Sequence, residues 1–160
     1  MVLGCGGLGQ FGVQHLARLP GVRVVAVDPV PAKRALALEL GAHEVAGPES
    51  DLPPARVVID FVGSDSSLDL AARTVERGGL VVMVGEAGGR LAVGPGTDVP
   101  WEATFTTSVW GSLRELQEVV ALAEAGELRW TVETLPLDRA NEALTRLRRG
   151  DVAGRLVLTP

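Results

Sequence analysis

The residues closest to the start of the chain have the spacing best suited to chemistry. Gly4-Cys5-Gly6-Gly7-Leu8-Gly9 reads Gly-x-Gly-x-x-Gly. Between a strand and a helix, such a run forms a phosphate-binding turn. Gly4 permits a tight exit from the strand, Gly6 lets backbone approach a pyrophosphate without a Cβ, and Gly9 lets the helix pack closely on the strand. The helix mouth at Gly7 and Leu8 then presents free N–H groups and the positive end of the helix dipole to the phosphates. Asp28 follows nineteen residues after Gly9, at the end of a β-branched run. A carboxylate there can accept hydrogen bonds from the hydroxyls of an adenosine ribose, and it repels a 2′-phosphate. This favours NAD over NADP as the cofactor.

Other chemistries lack their residues. The chain has no tyrosine, so a Tyr/Lys acid–base pair cannot exist. Two histidines, His15 and His43, and one cysteine, Cys5, fall short of a convincing zinc set, which needs about three or four ligands. Cys5 stands at a variable position of the fingerprint and reads as a packing residue. The formal charge of −5 over 160 residues argues against nucleic acid or an anionic membrane as main partner. No apolar run reaches the roughly 18–20 residues that span a bilayer. The opening Met1-Val2-Leu3-Gly4 has no basic stretch, so no secretory leader is expected. A single cysteine suits a reducing cytoplasm.

The elements that must position these residues alternate. Met1–Leu3 reads as a strand and Leu8–Leu19 as an amphipathic helix stopped by Pro20-Gly21. Val22–Val27 is a strand, Ala32–Leu40 a helix closed by Gly41, and His43–Ala46 a short strand. Val57–Val62 predicts a strand buried on both faces. Ser64 or Ser66 caps a helix running to about Arg77, and Gly78-Gly79 leads into a strand at Leu80–Val84. After the Gly/Pro-rich stretch 85–100, Ala103–Trp110 alternates as a strand. Ser112-Leu113-Arg114-Glu115 is a capping box opening a helix to about Ala125. A strand at Val132–Leu135, a helix capped by Asp138 and ended by Gly150, and a strand at Gly154–Leu158 complete the chain. Strands alternating with helices predict an α/β fold: a Rossmann-type doubly wound parallel sheet with helices on both faces.

The chain resembles the C-terminal half of zinc-type alcohol dehydrogenases of the medium-chain dehydrogenase/reductase family. The matching stretches are Gly4–Gly9 with Val13-Gln14, Val24–Asp28 with Lys33 and Gly41-Ala42, Asp60-Phe61-Val62-Gly63, Gly78-Gly79 through Val84-Gly85, Ser112 with Glu115-Leu116, and Gly154-Arg155. The resemblance implies that Asp28 and Lys33 hold the adenosine ribose. Phe61 and Val62 would line the cofactor cleft, with Val84, Gly85 and Glu86 bordering the nicotinamide. Val109 and Trp110 would offer backbone groups to the carboxamide, and Arg155 would meet the pyrophosphate. Simpler roles fit the same residues: Phe61, Val62 and Val84 as core, Lys33 and Arg155 as solvated charges, Trp110 as filler at a domain boundary.

The resemblance further implies hydride transfer between an alcohol or aldehyde and NAD. It requires a preceding zinc-binding, GroES-like domain whose ligands these residues do not contain. The expected organisation is a dinucleotide-binding unit at 1–110, its first strand shortened, and a helix-strand-helix-strand segment at 111–160 that packs toward the catalytic domain. The chain by itself is expected to be inactive. Ala103–Trp110 should form the sheet's edge and is a candidate for pairing with a second copy. The alternative is a non-catalytic nucleotide-binding module or inactive remnant. A methyltransferase also pairs a glycine-rich loop with an acid after the second strand, but the complete fingerprint and the downstream matches weigh against it.

Overall fold

Six of the β-rich runs pair in parallel. The computed structural model describes residues 1–160. Its main sheet contains β1 (Val2–Leu3), β2 (Val25–Val27), β3 (Glu44–Ala46), β4 (Ala55–Asp60), β5 (Val75–Met83) and β6 (Thr104–Thr107), in the order β3-β2-β1-β4-β5-β6. Helices α1 (Gly9–Ala17), α2 (Pro31–Glu39) and α3 (Asp65–Thr74) form the crossovers. This is the doubly wound, Rossmann-type α/β sheet expected from the sequence.

Alternation along the strands builds two cores. Met1, Leu3, Val25, Val27, Val58 and Val81 face Leu70 and Ala71 of α3. Val2, Val24 and Ala26 point the other way, onto Val13 of α1 and Ala37 of α2. Each fully buried Val or Leu is worth about 1.5–3 kcal/mol, so these two layers anchor the sheet. The chain winds outward from β1 in both directions, and the order reverses between β1 and β4.

Beyond β6 lie α4 (Leu113–Glu124), β7 (Val132–Pro136), a single 3₁₀ turn at Leu137–Arg139, α5 (Ala140–Arg149) and β8 (Arg155–Thr159). β7 and β8 pair in parallel as a separate two-stranded sheet. No helix is long and apolar enough to cross a membrane.

Several elements differ from their expected form. The helix expected to reach Arg77 stops at Thr74, because Val75 is extended (ψ 137°) and already belongs to β5. Gly78 and Gly79 lie inside that strand, where the β4–β5 register shifts between Ala55 and Val57. Gly78 has φ +68°, a left-handed conformation that favours glycine. The strand expected at Ala103–Trp110 keeps only Thr104–Thr107, and Trp110 turns to φ +62°. Ser64, rather than Ser66, caps α3, through a reciprocal pair with Ser67. Asp138 does not cap α5: the 3₁₀ turn intervenes, and Arg139 occupies the cap position without a side-chain bond. The apolar run predicts burial on both faces for Val57, which is instead 38% exposed, because an open cavity lies against it at that end of the sheet.

One buried carboxylate organises the end of β4. Asp60 is 0% exposed. Its Oδ1 accepts from the N–H groups of Val62 (2.8 Å) and Gly63 (3.1 Å), and its Oδ2 from the Ser67 hydroxyl (2.8 Å). Its carbonyl accepts from Val84 and Gly85, tying the end of β4 to that of β5. Asp60→Ala would strand three donors and is expected to cost about 3 kcal/mol, read as a lowered urea midpoint at unchanged slope. A loss under about 1 kcal/mol would show that this network does not hold the turn.

Candidate functional site

Ligands of doubly wound sheets bind beyond the carboxyl ends of the strands, where strand order reverses. Here that crevice lies between the turn after β1 and the turn after β4. A cavity of about 400 Å³ lined by Met1, Val22 and Pro53 among others opens at the opposite end of the sheet and meets none of the fingerprint residues.

The turn after β1 is built by glycine. Gly4 leaves the strand at φ +84°, with its N–H donated to the Val27 carbonyl at 2.8 Å. A Cβ on Gly9 would collide with the Gly4 carbonyl, so the first turn of α1 can sit directly on the strand end. A Cβ on Gly6 would meet nothing within 4 Å, so that side of the loop is open. Leu8 occupies the cap position of α1 without a side-chain bond. The N–H groups of Gly6, Gly7, Leu8 and Gly9 donate to no group of the chain. They provide four free donors at the positive end of a helix, which is an anion cradle.

Two charged side chains touch this cradle, and a third acts on it from a distance. Arg155 opens β8, far along the chain, yet its guanidinium lies over Gly7: a Cβ there would come within 2.8 Å of Nη1. Asp28, 4% exposed, accepts from the Cys5 N–H on Oδ2 and from the Val30 N–H on Oδ1, both at 2.8 Å. The carboxylate is therefore locked against the fingerprint loop, and each oxygen keeps a further lone pair. Lys33, on the first turn of α2, is close enough to act electrostatically on Cys5. The Cys5 thiol is buried in the core, and its pKa is pushed up to about 12. Burial is the main cause and the Asp28 charge adds to it, while Lys33 opposes them.

The other wall is made where β4 and β5 end. Gly63 (φ +71°) and Gly85 pack backbone to backbone, and a Cβ on either would collide with the other turn. Beside them a cleft of about 370 Å³ is lined by Val84, Gly85, Glu86 and Val109 among others. Val62 stands over Gly4 and is partly exposed. Phe61 turns its ring onto α1, against Gly12, and joins the core. Trp110 is 95% exposed and does not line the cleft.

The structure thus gathers Gly4, Gly6, Gly7, Leu8, Gly9, Asp28 and Arg155 around one turn, while Lys33, on the first turn of α2, makes no contact with it and acts only through its charge. Val84, Gly85, Glu86 and Val109 share the neighbouring cleft, with Val62 on the β4 turn between the two groups. Two polar residues without a sequence-based role stand out. Asp60 interrupts an apolar strand, and Gln14 lies on the buried face of α1, 5% exposed. A polar residue inside an apolar period is the signal that marks both. His43 accepts from the Val24 N–H on Nδ1 (3.1 Å), and no three His, Cys, Asp or Glu side chains converge on one point.

The thiol yields a pH prediction. Its pKa is raised on folding, so its contribution to stability is intact below its ordinary value of 9.0 and is lost as pH rises toward 12. Relative to Cys5→Ala, the chain should lose up to about 1.4 kcal/mol of stability per pH unit above pH 9, and nothing between pH 7 and 8. Parallel stability curves for the two proteins up to pH 10.5 would contradict this.

Residues 7–125 match the family model described as zinc-binding dehydrogenase. The D-arabinose 1-dehydrogenase (NADP⁺) of Saccharolobus solfataricus is 32% identical over 100% of this chain and 49% of its own length. Among solved structures, an alcohol dehydrogenase from Aeropyrum pernix superposes with a TM-score of 0.90 at 34% identity, over 99% of this chain and 49% of that one. Acetophenone reductase from Geotrichum candidum, solved in complex with NAD, gives a TM-score of 0.85 at 32% identity, over 99% of this chain and 47% of that one. The chain spans about half the length of the curated relatives it matches. By its match across most of its length, the chain belongs to the zinc-binding dehydrogenase family.

Proposed function

We propose that this chain is the NAD(H)-binding part of a zinc-type alcohol dehydrogenase-like oxidoreductase that interconverts an alcohol and its aldehyde or ketone. The observation that carries this reading is the cradle of four free N–H groups at the mouth of α1, with Arg155 above it and Asp28 locked at its side. The cradle and Arg155 suit a pyrophosphate, since both supply positive potential and N–H donors where its oxygens would lie. The open side at Gly6 leaves room for it. The remaining lone pairs of Asp28 suit ribose hydroxyls, and Lys33 reaches the same region. Val62 and Val84 offer apolar walls, Gly85, Glu86 and Val109 the border of the nicotinamide pocket. Bound there, NAD supplies the hydride acceptor.

The catalytic half of such an enzyme holds the zinc and most substrate contacts. We assign 1–110 to the dinucleotide unit and 111–160 to the segment that faces that half. α4 supports this division: it buries no residue, and Leu113, Leu116 and Val120 form an exposed apolar ridge along it. Trp110, exposed just before α4, belongs to the same boundary. A buried free thiol as the only cysteine fits a cytoplasmic setting. The comparisons name dehydrogenases and reductases, which gives the non-catalytic alternative no support.

The relatives include an enzyme named for NADP⁺, so cofactor choice is the sharp test. In calorimetric titrations the chain should bind NADH, and bind NADPH at least about ten-fold more weakly, a gap of roughly 1.4 kcal/mol. Asp28→Ala should narrow that gap by weakening NADH. Equal affinity for both cofactors, or no binding by a folded chain, would overturn the reading.

The sheet edge supports a second expectation. β6 has β5 on one side and no strand on the other. Pairing of two β6 edges across a two-fold axis would give an isologous dimer. Sedimentation should show a dimer at micromolar concentration that Thr106→Pro converts to monomer; a dimer that survives the proline would place the contact elsewhere.

A further inference from the structure

We propose that Gln14 is a positioning residue for the phosphate cradle: its amide clamps the segment before β7 and thereby holds Arg155 over Gly7. The inference rests on the dinucleotide reading above.

A glutamine buried on a helix face costs free energy unless its amide is matched. Gln14 is fully matched, and mostly from far along the chain. Its Nε2 donates to the carbonyls of Gln10 (3.1 Å) and Arg129 (2.8 Å), and its Oε1 accepts the Arg129 N–H at 2.7 Å. The backbone of Arg129 is thus gripped on both its N–H and its C=O, as a neighbouring strand would grip it. Leu128, next to it, is buried. The grip passes on through backbone. The Arg155 N–H donates to the Thr131 carbonyl at 2.9 Å, two residues beyond Arg129. Gly154, at φ +91°, presses on the same Thr131, where a Cβ would collide with the carbonyl. Arg155 then extends back across Gly7. The path from Gln14 to the cradle is therefore one side-chain clamp, one short run of backbone and one ladder-type bond.

The other ties of this segment to α1 and α2 lie at the surface. Arg18 pairs with Glu127, and the Arg129 guanidinium donates to the Glu39 carbonyl; both are solvent-exposed. Exposed pairs of this kind constrain little. Beside the buried Leu128 side chain, Gln14 makes the segment's only hydrogen bonds to α1 that are not fully exposed, and it does so one helical turn below Gln10, whose own Nε2 donates to the Gly7 carbonyl (3.3 Å). The glutamine pair links the cradle to the strand that carries its arginine.

The test is a double-mutant cycle on NADH affinity with the full chain. Gln14→Met, of similar shape but without the amide, and Arg155→Ala should each weaken NADH about ten-fold. The double variant should be no weaker than Arg155→Ala, because Gln14 acts through Arg155. Arg18→Ala should leave affinity unchanged. In hydrogen exchange, the Arg129 and Arg155 amides should lose protection in Gln14→Met while the β1 and β2 amides keep theirs. Gln14→Glu, which can still accept the Arg129 N–H, should retain an intermediate affinity and serves in place of Gln14→Met if that variant does not fold. Multiplicative losses in the cycle, or unchanged protection at Arg129 and Arg155, would overturn the proposal. If the unsubstituted chain binds no NADH, the dinucleotide reading itself fails, and the role of Gln14 falls with it. If the chain binds and Arg155→Ala weakens it while Gln14→Met does not, only the present inference fails.

Discussion

The contact between Gly9 and the Gly4 carbonyl constrains everything around the site. It lets the first turn of α1 rest on the end of β1 with no side chain between them. Any Cβ at Gly9 would lift the helix away from the strand. With the helix seated, its unpaired N–H groups point into the crevice where the sheet's order reverses, and the macrodipole ends there as well. The fold thus creates a positive, donor-rich point from backbone alone, in a chain whose net charge is −5. Position, rather than overall charge, makes this point attractive to an anion.

Two buried carboxylates then fix the turns on either side of the crevice. Asp28 ties the end of β2 to the fingerprint loop, through the Cys5 N–H. Asp60 ties the end of β4 to the start of α3, and its carbonyl carries the end of β5. Asp28 is held by two N–H donors and Asp60 by two N–H groups and a hydroxyl, which is the condition under which a buried charge is tolerated. They differ in their remaining capacity. Asp60 is fully enclosed and acts on structure. Asp28 lies at the mouth of the loop with lone pairs to spare, so the same chemistry that anchors a turn there can also meet a ligand.

The part of the site built from near neighbours in the chain is legible in the sequence. Gly4, Gly6, Gly9 and Asp28 stand out because each serves a local geometric need, at a spacing set by one strand, one helix and the next strand. The doubly wound topology follows from alternation and from the handedness of crossovers. Legibility fails where distant segments decide the outcome. Trp110 continues an alternating pattern, but the β6 ladder has run out by Ser108, so the chain turns and the ring faces solvent. Phe61 looks like a wall residue, yet Gly12 leaves a hollow on α1 that its ring fills. Asp138 has the type of a helix cap, and a 3₁₀ turn displaces the helix start. Gln14 matches a family pattern, but its partner is 115 residues away, beyond any periodicity.

The placement of Arg155 shows why the segment beyond β6 matters to the first turn of the chain. The six-stranded sheet is complete without β7 and β8, and the fingerprint loop holds its shape through Gly4, Gly9 and Asp28. What the return of the chain adds is charge: a guanidinium with five N–H donors set over a cradle that otherwise has only peptide dipoles. A backbone cradle alone offers only partial charges to an anion. With Arg155 in reach, it favours a group carrying more than one negative charge spread over several oxygens. The interior glutamine contact that docks this segment on α1 therefore connects a packing decision in the core to the charge of the site at its edge.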